Sequence, residues 1–280
     1  MKKLTFILTL SILLVSCKTP PPRNYIQLNG FTQGTTYAIT YFDQENRDFS
    51  EPIGLILEQV DSSMSLYRQN SVISEFNRSP SGMEVDSLLA EVVKLSFQIC
   101  DETNGAFDIT VGPLVKAWGF HMKRGELPDE TSIHKLLAFT GIDLIKLDGL
   151  MITKKYPEVT IDVNAIAQGY TVDLISKFLE KMGVGDYLVE LGGEIRTLGK
   201  SPRSNKWLVG VDKPEDNAIT GESLQVIIGL SGESLVTSGN YRKFFVRDGV
   251  KYSHTIDPVS GYPVTHSLLS VTVIDKTSAR

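Results

Sequence analysis

Four polar stretches of this 280-residue chain carry side chains whose types and spacing can do chemistry. The first is Ser253-His254-Thr255-Ile256-Asp257-Pro258, followed by Gly261-Tyr262-Pro263. A His beside an Asp in a Gly- and Pro-rich turn can bind a ligand or move a proton, although loop histidines without a role are common. The second is Asp162, near the end of an expected strand that leads through the turn Asn164-Ala165-Ile166-Ala167 into a helix. Free backbone N–H groups and the positive end of a helix dipole then face a carboxylate, which suits a phosphate, a metal or both. The same stretch also reads as an ordinary crossover between strands. The third is Asp108, an acid in the apolar run 106–120, where desolvation demands a partner. It either caps the following helix or hydrogen-bonds the polar edge of a ligand. The fourth is the small polar turn Thr237-Ser238-Gly239-Asn240-Tyr241-Arg242, whose hydroxyls, N–H groups and guanidinium are those that phosphate recognition uses. The sequence has no P-loop, no Gly-x-Gly-x-x-Gly, no HExxH and no paired-cysteine metal spacing. Its chemistry therefore rests on carboxylates, small-residue turns and His254, since His121, His134 and His266 lack comparable surroundings.

Apolar periodicity indicates what must position these groups. Ile166, Tyr170, Leu174, Ile175, Phe178, Leu179 and Met182 recur at helical spacing, so the segment after Asp162 is a helix with one buried face. Residues 187–191 then read as a buried strand, and Gly192-Gly193 allows close backbone approach before the next strand, 195–198. Upstream, Gln33-Gly34-Thr35-Thr36 is a tight turn leading into the strand 37–42; it either presents backbone to a ligand or is a hairpin corner. Helices are expected over 52–64, 85–103 and 128–139, and a short one through Ile73 and Phe76. Between the first and the short helix, Tyr67 lies in a polar loop, placed to stack on an aromatic ligand or to cover the core. Hairpins are expected about Asp148-Gly149 and Arg247-Asp248-Gly249, and further strands over 207–211, 224–229, 234–237 and 268–274.

Composition, 41% hydrophobic and 22% charged, is that of one large or two small globular domains. The N-terminus has a leader's pattern: basic Lys2 and Lys3, an apolar run over 4–15, and Leu14-Val15-Ser16-Cys17. This pattern is similar to the lipobox of bacterial lipoproteins. It implies a signal peptide over 1–16, lipidation at Cys17, and a proline-rich tether over 17–24 ahead of a domain spanning 25–280. A simple secretion signal is the competing reading. Loss of residues 1–16 leaves 26 basic against 33 acidic side chains, a net charge of −7, which argues against a nucleic-acid partner. With Cys17 lipidated, Cys100 has no cysteine to pair with and reads as a packed helix residue.

Six motifs in this order resemble the FAD:protein FMN transferases, the ApbE family, over nearly the whole mature chain. They are Gln33-Gly34-Thr35-Thr36-Tyr37, Ser65-Leu66-Tyr67, Gly105-Ala106-Phe107-Asp108-Ile109-Thr110-Val111-Gly112-Pro113-Leu114, Ile161-Asp162 with Gly169-Tyr170-Thr171-Val172-Asp173, Gly192-Gly193-Glu194, and Thr237-Ser238-Gly239-Asn240-Tyr241-Arg242 with His254-Thr255-Ile256-Asp257-Pro258. The resemblance implies an α+β fold with mixed sheets, T-fold-like. It also implies Mg2+-dependent transfer of FMN from FAD to a Thr or Ser hydroxyl of an exported partner, such as a redox-complex subunit, with release of AMP. The enzyme would be lipid-anchored in a bacterial cell envelope, facing the periplasm or exterior. Gln33 and Tyr67 would flank the flavin or adenine. Ala106, Phe107 and Asp108 would hold FAD, with Asp162, Gln168 and Ile256 near it. The Ala165 carbonyl would ligate Mg2+, and His254 would sit beside the reacting phosphate as a base or electrostatic aid.

The sequence departs from the family in two places. Gln168 stands where the family often has a basic residue, which weakens electrostatic contact with FAD. The chain also stops before the segment whose Asp and Thr would supply Mg2+ ligands, and a carbonyl with one acid is a poor octahedral cage. We therefore expect a truncated transferase sequence. The alternatives are a short form that binds flavin without turnover and an Mg2+-dependent FAD pyrophosphatase.

Overall fold

The structure is a computed structural model that describes residues 23–120, 127–215, 221–240, 244–247 and 249–280. Cys17, the leader and Arg242 lie outside the described residues. In chain order the elements are β1 (Tyr25–Thr32), β2 (Thr35–Phe42), α1 (Ser50–Met64), α2 (Val72–Arg78), β3 (Gly82–Glu84) and α3 (Ser87–Glu102). These are followed by α4 (Gly112–Ala117), α5 (Glu130–Leu137), β4 (Ile145–Asp148), β5 (Met151–Lys154), α6 (Asn164–Lys181), β6 (Asp186–Leu191) and β7 (Glu194–Leu198). The remaining strands are β8 (Trp207–Asp212), β9 (Leu224–Leu230), β10 (Ser234–Gly239), β11 (Phe244–Arg247), β12 (Val250–Ser253) and β13 (Ser270–Asp275).

Six strands make one antiparallel sheet in the order β1-β2-β6-β7-β10-β13. Strand alternation places Tyr187, Val189 and Leu191 of β6 on the face covered by α1 and α6, where they pack with Ile53, Leu57, Val172, Ile175 and Leu179. Each such burial contributes about 1.5–3 kcal/mol, so the i, i+4 spacing of Ile53 and Leu57 is enough to seat α1. The opposite face carries Leu188, Ile195 and Leu235 under the β8–β9 ribbon. A second core joins α2, α3 and the small sheet β3-β5-β4 to the first turns of α6. A third is built from Leu114 and Trp118 at α4, Ile133 of α5 and Ile256. Helices and antiparallel sheets thus form the expected α+β fold. Among the described residues, no helix is long and apolar enough to cross a membrane.

One expected element is absent. Residues 160–163 join no sheet, and the supposed turn at Ala165 is already the first turn of α6. Side chains replace the missing ladder. The Asn77 amide donates to the Ile161 carbonyl at 2.9 Å and accepts the Ile161 N–H at 2.8 Å, while Asp162 N–H donates to the Ile109 carbonyl at 2.7 Å. Beside it, the buried Lys154 ammonium donates to the carbonyls of Asn77, Pro157 and Val159 at 3.0–3.2 Å, and this burial lowers its pKa. Residue type reports strand propensity alone, and a segment whose backbone groups are satisfied by side chains can carry the same residues as a strand.

Candidate active site

Gln33 and Gly34 form a two-residue hairpin turn between β1 and β2, both with positive φ (49° and 73°). Such a turn matches the twist of its strands, and the corner reading of this stretch is correct. The turn also reaches the helix that follows Asp162: Gln33 Nε2 donates to Thr171 Oγ1 at 2.9 Å, and Thr171 in turn donates to the Ala167 carbonyl at 2.8 Å. Gly192 closes the same corner at φ 63°. A methyl group on it would stand 2.9 Å from Thr35 Cγ2 and 3.3 Å from Gln168 Oε1, so the β6–β7 turn lies against the Gln168 amide. The structure therefore gathers Gln33, Gln168, Thr171 and Gly192 at the start of α6.

A second wall is built around Asp162, just ahead of α6. Asp108 is half-buried, and its Oδ1 accepts from the N–H and the hydroxyl of Thr110 at 2.7 and 2.6 Å, capping a short 3-10 turn. Asp108 thus caps this turn and not α4, whose N-cap, Val111, has no side-chain hydrogen bond. Thr110 Oγ1 also accepts the Gly141 N–H at 2.6 Å. Gly112 permits the contact with the 160–163 segment, since a methyl there would lie 2.9 Å from Thr160 Oγ1 and 3.7 Å from Asp162 Cβ. Buried Asp162 accepts the Asn164 N–H at 2.9 Å, fixing the entry to α6. Ala106 is exposed and Phe107 half-buried on the approach to this wall. Ala165 is exposed in the first helical turn, where its carbonyl points along the helix axis.

His254 follows β12 and is half-exposed, its ring edge-on to Phe120 with centroids 6.5 Å apart. Its loop is held by Asn240 Oδ1, which accepts Ser253 Oγ at 2.7 Å and Thr255 Oγ1 at 2.9 Å. Asn240 therefore buttresses the histidine loop, and Thr237 and Ser238 belong to β10 rather than to a turn. Asp257 is engaged within its own loop, accepting from Ser260 Oγ at 2.7 Å and Val259 N–H at 3.0 Å. The Ser260 bond holds its carboxyl below the usual carboxylate range. Ile256 is buried beside Leu114 and bridges to Pro263, tying the loop to α4. Tyr67 stands 71% exposed between α1 and α2.

The sequence model of the ApbE family matches residues 33–280. The chain belongs to the ApbE family. It is 37% identical over 273 residues to the FAD:protein FMN transferase of Vibrio cholerae, covering 95% of this chain and 80% of that protein. The Haemophilus influenzae protein of the same name is 35% identical, with coverages of 99% and 84%. The solved flavin transferase ApbE of V. cholerae superposes with a TM-score of 0.83 at 37% identity, over 92% of this chain and 84% of that one. As an ApbE chain, it brings the Gln33, Thr171 and Gly192 motifs together on one wall and the Gly112 and Asp162 motifs on another, although they are far apart in sequence.

Several organising residues carried no sequence signal of their own. Asn77 and Lys154 look like ordinary helix-end and strand residues. Glu194 belongs to the Gly192-Gly193-Glu194 motif, but its environment emerges only from the register. It pairs with Leu191, which places it on the helix-covered face of β7, with Oε2 buried and without a hydrogen-bond partner. Desolvation raises its pKa to about 7. Among the described residues, no group of three His, Cys, Asp or Glu could hold a metal ion. The two expected oxygens, Asp162 and the Ala165 carbonyl, are too few to cage an octahedral cation, which would need further oxygens from substrate and water.

Proposed function

We propose that this chain transfers FMN from FAD to a Ser or Thr hydroxyl of an exported partner protein, with release of AMP. The observation that carries the reading is the family match from residue 33 to residue 280. The gathering of Gln33, Gln168 and the Gly192 turn on α6, whose N-terminus follows Asp162, supports it, because a helix N-terminus favours the anionic pyrophosphate of FAD. Asp108 and the Gly112 backbone shape the second wall, and Ile256 anchors the loop that carries His254. The acceptor hydroxyl attacks the FMN phosphorus in line, forming the phosphoester O–P bond as the bridging O–P bond to AMP breaks. His254 takes the hydroxyl proton or stabilises the charge that develops on the phosphate. Asp162 and the Ala165 carbonyl are the residues that would hold Mg2+, whose chemistry here would be to offset phosphate negative charge. The leader pattern ending in Cys17 supports a lipid anchor that presents the domain to an exported, redox-complex type of acceptor.

The test is incubation of the full chain with FAD, Mg2+ and an exported acceptor domain, followed by a denaturing gel viewed for flavin fluorescence. A fluorescent acceptor band with stoichiometric AMP supports transfer. Free FMN and AMP without an acceptor band would show a pyrophosphatase instead, and FAD binding with no AMP would show a flavin-binding lipoprotein.

A further inference from the structure

Asp173 lies one helical turn beyond Gly169 on α6, buried, and its carboxylate has a full set of donors. Arg196 Nη1 of β7 donates to it at 2.9 Å, Ser278 N–H at 3.0 and 3.1 Å to its two oxygens, and Ala279 N–H at 3.0 Å. The other Arg196 arm reaches Glu180 Oε1 at 3.2 Å, which also accepts the Tyr187 hydroxyl at 2.6 Å, so the clamp is braced against α6 and β6. Gly169 makes the approach possible: a methyl there would lie 2.2 Å from the Ser278 carbonyl oxygen and 2.6 Å from its carbon. On the far side, Arg280 pairs with Glu102 of α3 at 2.6 Å. The backbone of Ser278 and Ala279 thus lies directly on α6 at Gly169, the residue that follows Gln168, whose amide abuts the Gly192 turn. A buried carboxylate costs free energy unless fully bonded, and here every donor belongs to this one junction.

We propose that Asp173 is a positioning residue for flavin transfer: it seats Ser278 and Ala279 on Gly169 and so fixes the wall of the site beside Gln168. The inference rests on the flavin-transferase reading above. Two variants of the full chain probe the clamp from opposite sides. Asp173→Asn replaces one acceptor oxygen with an amine that opposes the two backbone N–H groups, and Gly169→Ala displaces Ser278 without changing charge. Amide hydrogen exchange at Ser278 and Ala279, measured without flavin, is expected to rise about tenfold or more in both, while melting stays cooperative. In transfer assays the KM for FAD is expected to rise about tenfold, with kcat changed less. Faster exchange with an unchanged KM would overturn the positioning role and leave a purely structural clamp, and unchanged exchange would overturn the clamp itself. If Asp173→Asn fails to fold, Gly169→Ala decides by the same two readouts. A wild-type chain that does not bind FAD would refute the functional reading, and the positioning role with it, whereas the exchange data would still report on the clamp.

Discussion

Glu194→Gln is expected to remove a pH dependence of stability that can be calculated from one buried oxygen. The wild-type carboxyl titrates at about 7 in the folded chain against an ordinary 4.5, because burial disfavours its charged form. The folded state therefore holds the proton more tightly than the unfolded state does. The stability associated with that proton is full below pH 4.5, falls as pH rises, and is gone above the folded value near 7. The whole difference is about 3 kcal/mol, of which about 2 kcal/mol is lost between roughly pH 5 and 7. Glutamine keeps the shape and cannot ionise, so its contribution is flat. With an m-value of about 2–3 kcal/mol/M, the urea midpoint of wild type should fall by roughly 1 M relative to Glu194→Gln over that interval. Tryptophan fluorescence against urea at a series of pH values measures it. Burial also raises the Glu190 pKa, but Glu190 is present in both proteins and cancels in the difference. A constant offset between the two midpoint curves across this range would refute the reasoning.

Gly192→Ala forces a side chain onto a backbone at φ 63° and into Thr35 and Gln168, and is expected to cost about 1–3 kcal/mol and weaken FAD binding, read by thermal melting and flavin fluorescence titration. Lys154→Met leaves the carbonyls of Asn77, Pro157 and Val159 without their common donor. It should lower stability by about 2–3 kcal/mol in urea and loosen the segment that carries Asp162, visible as faster amide exchange at Ile161 and Asp162. Chelation with EDTA is expected to halt transfer to an acceptor, and added Mg2+ to restore it, as followed by the fluorescent acceptor band.

Much of this arrangement was legible in the residues. The Ile53, Leu57, Val60, Met64 spacing marks α1, Asp148-Gly149 marks the β4–β5 turn, and the 3.6-residue period after Ile166 marks α6. These signals are local, so they survive into the fold. The misreadings share a cause. The strand expected before α6 has strand-like residues, yet its backbone is satisfied by Asn77, an interaction no local pattern encodes. The turn expected at 237–242 begins inside β10, because Thr237 Oγ1 meets Thr272 Oγ1 at 2.8 Å in a cross-strand pair. For the site, residue types identified Asp108, Asp162 and His254 as candidates. They did not disclose that Asp108 is occupied as a cap, or that Asp257 serves its own loop instead of partnering His254.

The bracket that Asn77 places on Ile161 also bears on the order in which the chain folds. The two residues are 84 positions apart, so the bracket closes only after α2 and everything between has found its place. The Asp162 segment has no neighbouring strand to template it earlier. Contacts of such sequence separation are entropically late, whereas hairpins such as β1–β2 can form at once. The corner where FAD would bind is therefore set by the end of folding, and substitutions at Asn77 should accelerate unfolding more than they slow folding.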